Sequence, residues 1–249
     1  MILRRRAPSN KRLPASALLS LASLHHNTLG ALMFSASADL YDPIYSGFKD
    51  YATESEVVAA AIRSLHPGAR TVLDVAYGTG EHARLLAEVH GFETEGDMTS
   101  FELARSYDVI LCLFSSIGYV LTLEKVRRTF DRFREHLTDD GIVLVEPWFV
   151  PGMLQAGRVA IKTAETTGGS VARMSHIELD GKLSRQRFKY LIGRPDGIEH
   201  AVEVHELGLF TTEEMLACFH EAGLHATYDP KGATGRGLFV ARRKTSVSA

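Results

Sequence analysis

Residues 71–90 read Thr71-Val-Leu-Asp-Val-Ala-Tyr-Gly-Thr-Gly-Glu-His-Ala-Arg-Leu-Leu-Ala-Glu-Val-His90, and this stretch decides the fold. Its first part, 71–76, is apolar and β-branched, which predicts a buried parallel strand. Glycines follow at 78 and 80, and the apolar residues after them recur at helical spacing. A strand, a glycine turn and a helix N-terminus predict a nucleotide cradle, because glycine lets a ligand approach the backbone and the free N–H groups favour negative charge.

Two kinds of chemistry use such a cradle. The stretch Gly78-Thr-Gly-Glu-His-Ala83 fits the G-x-G-x-x-A pattern of nicotinamide-dependent oxidoreductases. Asp74, which lies four residues before Gly78, favours a different interpretation. A strand that ends in an acidic residue before G-x-G resembles the opening of class I S-adenosylmethionine methyltransferases. A third interpretation is a tight strand-to-helix turn that binds no ligand.

Composition narrows the class of protein and its partners. The chain has 249 residues, which is typical of one domain with or without an insertion. A formal net charge of −2 gives no reason to expect nucleic acid or an anionic membrane as partner. Cys112 and Cys218 lie in apolar stretches and are expected to be buried thiols of a cytoplasmic protein. No apolar run is long enough to span a bilayer.

The N-terminal segment differs from the rest of the chain. Residues 1–38 contain arginines and lysines, many Ser, Ala and Leu residues, and no acidic residue. This composition suits a transit peptide, or a start codon placed too early with Met33 as the true start. We prefer the second interpretation. Residues 1–33 are then an extension that is disordered or not native, and the enzyme domain covers 34–249.

The remaining pattern predicts the fold class. Strands and helices alternate up to about residue 150, which predicts a parallel sheet covered on both faces. Residues 158–210 instead hold about four strand-like runs, and Asp180-Gly181 and Asp196-Gly197 between them are hairpin turn signals. The predicted class is therefore α/β, with a Rossmann-like doubly wound sheet and an antiparallel β insertion at about 158–210.

Several short motifs, taken in their order, resemble one family. It is the S-adenosylmethionine-dependent N,N-dimethyltransferases of nucleotide-linked deoxyaminosugars, of the desosamine and mycaminose type. The resemblance covers nearly everything from about Phe34 to Ala241. The motifs are Leu40-Tyr-Asp-x-x-Tyr45, Lys49-Asp-Tyr51, Asp74-Val-Ala-x-Gly-Thr-Gly80, Gly96-Asp-Met98, Phe114-Ser-Ser-Ile-Gly118, Val145-Glu-Pro-Trp148, Arg173-x-Ser-His176 and Gly235-Arg-Gly-Leu-Phe239.

The resemblance implies a cofactor, an acceptor and a set of site residues. The cofactor is S-adenosyl-L-methionine, the acceptor is a small-molecule amine, and the insertion covers the acceptor and can build a homodimer. Metal ligands are not expected. The implied cofactor-binding residues are Asp74, Ala76, Gly78, Gly80, Asp97, Met98, Phe114 and Ser115. The implied catalytic residues are Tyr45, Tyr119 and His176, and the implied acceptor-binding residues are Glu146, Trp148, Arg173 and Arg236. Of these, Tyr45, Trp148 and His176 are expected to line one acceptor pocket.

The chemistry of methyl transfer agrees with these residue types. Alignment of the reacting groups can contribute about 7–11 kcal/mol, and only a neutral amine attacks, so a His or Tyr that accepts its proton is useful. The cation of Arg236 suits a pyrophosphate.

Two departures from the family pattern affect the cofactor side. Tyr77 stands where the family usually has cysteine. The chain between Gly80 and Asp97 is also too short for a helix, a second strand and a second crossover helix. We therefore expect that one strand–helix unit is missing, and that neither Glu93 nor Glu95 has a framework to hold the ribose. The alternative function is then a cofactor-impaired relative that acts as a binding or scaffold protein.

Overall fold

The structure is a computed structural model that describes residues 51–75, 81–90, 93–95, 103–166, 168–232 and 235–244. Several sequence predictions lie outside the described residues: those for the extension 1–33, Tyr45, Ala76, Tyr77, Gly78, Gly80, Asp97 and Met98. No helix in the described part of the chain is both long and apolar enough to cross a membrane.

A six-stranded sheet forms the centre of the molecule, and its strand order is β2-β1-β3-β4-β10-β9. The first four of these strands are parallel, whereas β10 is antiparallel to both of its neighbours. The elements before the insertion are α1 (Tyr51–Leu65), β1 (Thr71–Asp74), α2 (Glu81–Glu88), β2 (Glu93–Glu95), β3 (Tyr107–Cys112), a 3-10 helix (Ser116–Val120), α3 (Leu123–Glu135) and β4 (Leu137–Val145). Those after it are α4 (Thr212–Glu221), β9 (Leu224–Asp229) and β10 (Leu238–Arg243).

Helices cover both faces of this sheet because its central strands carry buried apolar side chains on both faces. In β3, Val109 and Leu111 pack with residues of α1 and α2, whereas Ile110 and Cys112 pack with α3 and α4. Phe130 of α3 stacks on Phe219 of α4 with ring centroids 3.8 Å apart. The predicted α/β architecture, a largely parallel sheet with helices on both faces, is therefore present.

The predicted antiparallel insertion is a four-stranded sheet in the order β5-β6-β7-β8. The strands are β5 (Val159–Thr166), β6 (Gly169–Asp180), β7 (Leu183–Arg194) and β8 (Gly197–Gly208). Side chains alternate between two faces of a strand. The buried side chains of β7 and β8 share one face, which we call the inner face, and the opposite side is the outer face.

The shortened segment of the cofactor side contains a strand after all. Strand β2 pairs in parallel with β1, with Thr71 opposite Glu93 and Leu73 opposite Glu95. The expectation that these two glutamates lack a framework is therefore wrong, because their backbone belongs to the sheet. A Rossmann sheet has two strands beyond the first strand on this side, whereas the described part of this chain has only β2. Between β2 and β3, the described residues 103–106 contain no helix.

Candidate active site

The parallel strands β1, β3 and β4 end at one edge of the six-stranded sheet. In open α/β sheets, ligands bind outside this carboxyl edge, where the strand order reverses. Asp74 ends β1, and Glu146 follows β4 directly. Both residues are almost fully buried, at 3% and 2% exposure. The edge predicted to hold the cofactor therefore carries two carboxylates.

The turn after β3 is held by Glu146. Its carboxylate accepts a hydrogen bond of 2.5 Å from the backbone N–H of Phe114, and its own N–H donates to the carbonyl of Cys112. Phe114 and Ser115 have φ values of 53° and 64°, in the left-handed region that non-glycine residues rarely adopt. Two successive residues of this kind bend the chain sharply at the strand end. Strained backbone of this type clusters at ligand sites.

Burial and the two carboxylates together raise the pKa of the Cys112 thiol. Complete burial raises the pKa of this thiol to about 12, and the negative charges of Asp74 and Glu146 add to the rise. The same negative field favours a cation at the edge. A sulfonium and an ammonium group are both cationic, so Asp74 and the Phe114–Ser115 turn fit the methionine part of the predicted cofactor. Glu146, which was expected on the acceptor side, holds this turn and therefore fits the cofactor side as well.

A second set of contacts joins this edge to the inner face of the antiparallel sheet. The Ser115 hydroxyl donates to the carbonyl of Pro147 at 2.7 Å. The Trp148 indole N–H donates to the Ser184 hydroxyl at 2.9 Å, and that hydroxyl donates to the carbonyl of Leu207. Trp148 therefore ties the end of β4 to β7 and β8.

Tyr119, a predicted catalytic residue, belongs to a polar network that the sequence did not reveal. Its hydroxyl lies 2.8 Å from Nδ1 of His205, and Nε2 of His205 lies 3.4 Å from the Glu203 carboxylate. Tyr190 donates to the same carboxylate at 2.9 Å. Glu203 and His205 are two residues apart in β8, so their side chains point to the same face. This proximity could have been read from the sequence once the strand was assigned. Their link to Tyr119 spans 86 residues and has no local signal.

Three cations gather beside this network. Arg173 is 8% exposed, and its guanidinium lies 4.8 Å from the ring centroid of Phe188. Lys162 is directly opposite Arg173 in the register of β5 and β6. Partial desolvation and then the charges of Arg173 and Arg236 lower the pKa of Lys162, which reflects how close the three cations are. Sequence reasoning selected the two arginines and missed Lys162.

His176, the remaining predicted catalytic residue, lies on the outer face. It is three residues from Arg173 in β6, so alternation points the two side chains to opposite sides of the sheet. Its imidazole is 44% exposed and lies 3.8 Å from the Glu178 carboxylate. Within one chain, the structure does not bring His176 to Trp148, with which it was expected to share a pocket.

Known proteins match this fold and this sequence over most of their length. No protein-family model matches the chain. A dTDP-3-amino-3,6-dideoxy-alpha-D-glucopyranose N,N-dimethyltransferase from Streptomyces fradiae is 38% identical over 227 residues, which cover 82% of this chain and 89% of the relative. The crystal structure of DesVI from Streptomyces venezuelae has a TM-score of 0.76 and 34% identity, covering 83% of this chain and 98% of DesVI.

A further solved structure contains the cofactor. It is CalS10, an amino pentose methyltransferase from Micromonospora echinaspora with S-adenosylmethionine bound. Its TM-score is 0.72 at 30% identity, and the match covers 88% of this chain and 100% of CalS10. The predicted enzyme class and cofactor are thereby confirmed: the chain belongs to the S-adenosylmethionine-dependent N,N-dimethyltransferases of the dTDP-amino sugar type.

Proposed function

We propose that this enzyme methylates the amino group of a nucleoside-diphosphate-linked amino sugar. The observation that carries the proposal is the group of three cations, Lys162, Arg173 and Arg236, beside the Tyr119 network. A diphosphate carries the opposite charge, and charge-assisted hydrogen bonds to phosphate are among the strong ones. The relative from Streptomyces fradiae is named for a dTDP-linked amino sugar, which supports the same acceptor class.

The proposed site has one side for each reactant. Asp74, Glu146 and the turn at Phe114–Ser115 would hold S-adenosylmethionine, which supplies an electrophilic methyl group when bound. Trp148 and Tyr119 would line the acceptor from the side of the antiparallel sheet, and Tyr119 would contact the amine. Orientation of the amine towards the methyl group supplies most of the rate enhancement in such a site.

Turnover with matched acceptors tests the proposal. We expect dTDP-linked amino sugars to gain one or two methyl groups, as seen by mass spectrometry, and the same free amino sugars to react much more slowly. Lys162→Met should raise KM about tenfold for the nucleotide-linked acceptor, which corresponds to about 1.4 kcal/mol. Lys125→Met on the exposed side of α3 is the control.

Calorimetric titration separates the alternatives. Binding of S-adenosylhomocysteine without turnover on any amine would favour the binding or scaffold alternative, and binding of NAD would favour an oxidoreductase. Equal rates on free and nucleotide-linked amino sugars would contradict the role of the three cations.

We also propose that a second copy of this chain covers the outer face of the antiparallel sheet. Six apolar side chains there are at least half exposed: Val159 at 57%, Ile161 at 63%, Met174 at 50%, Leu191 at 57%, Ile198 at 78% and Val202 at 54%. Large exposed apolar patches mark interaction surfaces. In such a dimer, His176 would face the partner, so any role in catalysis would be across the interface.

Sedimentation tests the dimer. We expect a dimer that Leu191→Glu converts to a monomer, because a charge at the centre of an apolar interface is costly to bury. Val89→Glu, at a similarly exposed apolar side chain after α2, is the control. A monomeric wild type would contradict the proposal.

A further inference from the structure

Two ionisable side chains, those of Glu203 and His205, are buried on the inner face of the antiparallel sheet. The side chains of Glu203 and His205 are each only 8% exposed. Replacing buried charged or polar pairs by well-packed apolar residues is often neutral or stabilising, so their presence calls for a functional reason. They lie on β8, and the hydrogen bond between His205 and Tyr119 links them to the 3-10 helix that follows β3 at the carboxyl edge of the six-stranded sheet.

Glu203 fixes which nitrogen of His205 carries a proton. An ionised carboxylate only accepts hydrogen bonds, so the nitrogen that faces it, Nε2, must be the N–H. Nδ1 is then the acceptor nitrogen and receives the hydrogen bond of 2.8 Å from the Tyr119 hydroxyl. Tyr190 donates to Glu203 at 2.9 Å and keeps that carboxylate in place. The Tyr119 proton therefore points towards His205, so the Tyr119 oxygen acts as an acceptor towards any other donor, such as an amine.

We propose that His205 receives the proton which the acceptor amine loses, with Tyr119 as the relay and Glu203 as the group that orients the imidazole. This inference rests on the proposed function only in requiring an amine acceptor. The arrangement of base and orienting carboxylate has the logic of a serine hydrolase triad, with a tyrosine in the place of the serine. Tyr119 contacts the acceptor here, whereas His205 and Glu203 are positioning residues that act through it.

The proton balance of the reaction defines the step. Each methylation forms an N–C bond and breaks a C–S bond, whose electron pair stays on sulfur, and the nitrogen then has one proton to lose. That proton passes to the oxygen of Tyr119 while the Tyr119 hydroxyl proton passes to Nδ1 of His205. The imidazolium so formed lies against the Glu203 carboxylate. Loss of this proton to solvent restores the relay for a second methylation.

Burial explains why a relay is needed. The whole of residue His205 is 6% exposed, and its ring packs edge-to-face with that of Phe188, with centroids 5.1 Å apart. Arg173 lies over Phe188 on the same inner face. An amine therefore does not reach His205 directly, whereas Tyr119 is only half-buried, at the end of the 3-10 helix.

A double-mutant cycle in the full chain tests the relay. We expect Tyr119→Phe and His205→Gln each to lower kcat by about 100- to 10,000-fold, the range for general base catalysis, with the affinity for S-adenosylhomocysteine unchanged. The double variant should be no slower than the slower single variant, because groups that act as a unit are not additive. His225→Gln, on the exposed edge strand β9, should retain wild-type kcat.

A second measurement does not depend on turnover. In the ligand-free protein, ¹⁵N NMR of the His205 ring should show a protonated Nε2 and an unprotonated Nδ1, and Tyr119→Phe should move the Nδ1 signal. The opposite tautomer would overturn the inference, as would wild-type kcat in His205→Gln or additive losses in the double variant. A wild type that methylates no amine would remove both this inference and the proposed function. Failure of the relay alone leaves wild-type turnover intact.

Discussion

The cofactor side of the six-stranded sheet and the antiparallel sheet differ in how much structure supports their site residues. Strand β2 has three residues and β1 has four, whereas β6, β7 and β8 have twelve each. Helix α2 has eight residues, which is short for a crossover helix. The acceptor side is thus built on long, fully paired strands, whereas the cofactor side is built on short strands and a short helix.

The binding sites of the two reactants therefore depend on different kinds of structural support. On the cofactor side, the position of a residue depends on a few backbone pairs at the sheet edge. On the acceptor side, it depends on long ladders and on hydrogen bonds such as that from Trp148 to Ser184. Perturbations should therefore affect cofactor binding and acceptor turnover separately, and four experiments test this.

Hydrogen exchange should show the largest contrast. Amides of β7, which is paired along its length on both sides, should exchange only through global unfolding, whereas those of β2 should exchange through local opening. The difference should exceed about 1,000-fold in protection, since global stabilities are about 5–15 kcal/mol and each 1.4 kcal/mol is tenfold. Equal protection of the amides in β2 and β7 would contradict the claim that the cofactor side is less well supported than the antiparallel sheet.

Glu95→Gln should weaken cofactor binding. β2 ends at Glu95, beside the carboxyl end of β1, where a Rossmann fold carries the acidic residue for the ribose. Loss of a charge-assisted hydrogen bond costs about 1.5–3 kcal/mol, or about 10- to 150-fold in the Kd for S-adenosylhomocysteine. Glu93→Gln, two residues further from the edge, is the matched control. No change in Kd would mean that the shortened segment binds the ribose without this carboxylate.

Gly118→Ala should disturb the contact between the two sheets, where the 3-10 helix packs against Leu207 and Trp148. A Cβ at this position would lie 3.0 Å from Cδ2 of Leu207 and 3.2 Å from Cβ of Trp148. Overpacking of this kind costs about 1–3 kcal/mol, and we expect a lower Tm together with a lower kcat. Gly168→Ala, where nothing lies within 4 Å of the added atom, should be neutral. A normal kcat despite a lower Tm would show that this contact does not position the acceptor side.

Cys112 should make the unfolding free energy fall at high pH. Its folded pKa of about 12 lies above the ordinary value of 9.0, so the unfolded chain loses its thiol proton first. Stability from this residue is complete below pH 9 and is lost as the pH rises through the folded pKa. Denaturant titrations of wild type and Cys112→Ala should show a steeper decline for wild type above about pH 9. Parallel curves would mean that the thiol is not shielded at this edge.

Much of the fold was predictable because its signals are local. The signals for the strand predicted at 71–76, which the structure has as Thr71–Asp74, and for the hairpin turns at Asp180-Gly181 and Asp196-Gly197 each lie within a few residues of sequence. The capping box of Thr211 with Glu214, which begins α4, is equally local. Family motifs also selected Glu146 and Tyr119. They gave no orientation, however, and this is why His176 was grouped with Trp148 although the two lie apart.

The parts that were not predicted depend on pairing across strands. The role of Glu203 and His205 depends on the contact of β8 with the 3-10 helix, which brings His205 to Tyr119. The role of Lys162 depends on the pairing of β5 with β6, which places it opposite Arg173. Strand β2 was missed for another reason. Three residues are too few to show the alternation that identifies a strand. Strand β2 is defined by its backbone pairing with β1, and that pairing leaves no pattern in a short sequence.

The alternation of faces in the antiparallel sheet limits which genetic changes this enzyme can accept. Substitutions on the inner face can alter the acceptor while the ladder stays intact. A one-residue insertion or deletion within β6, β7 or β8 reverses the facing of the residues beyond it, so that side chains of the outer face would take the places of His205, Tyr190 or Arg173. Diversification of the acceptor site should therefore proceed by point mutation within the strands, with length changes confined to the hairpin turns.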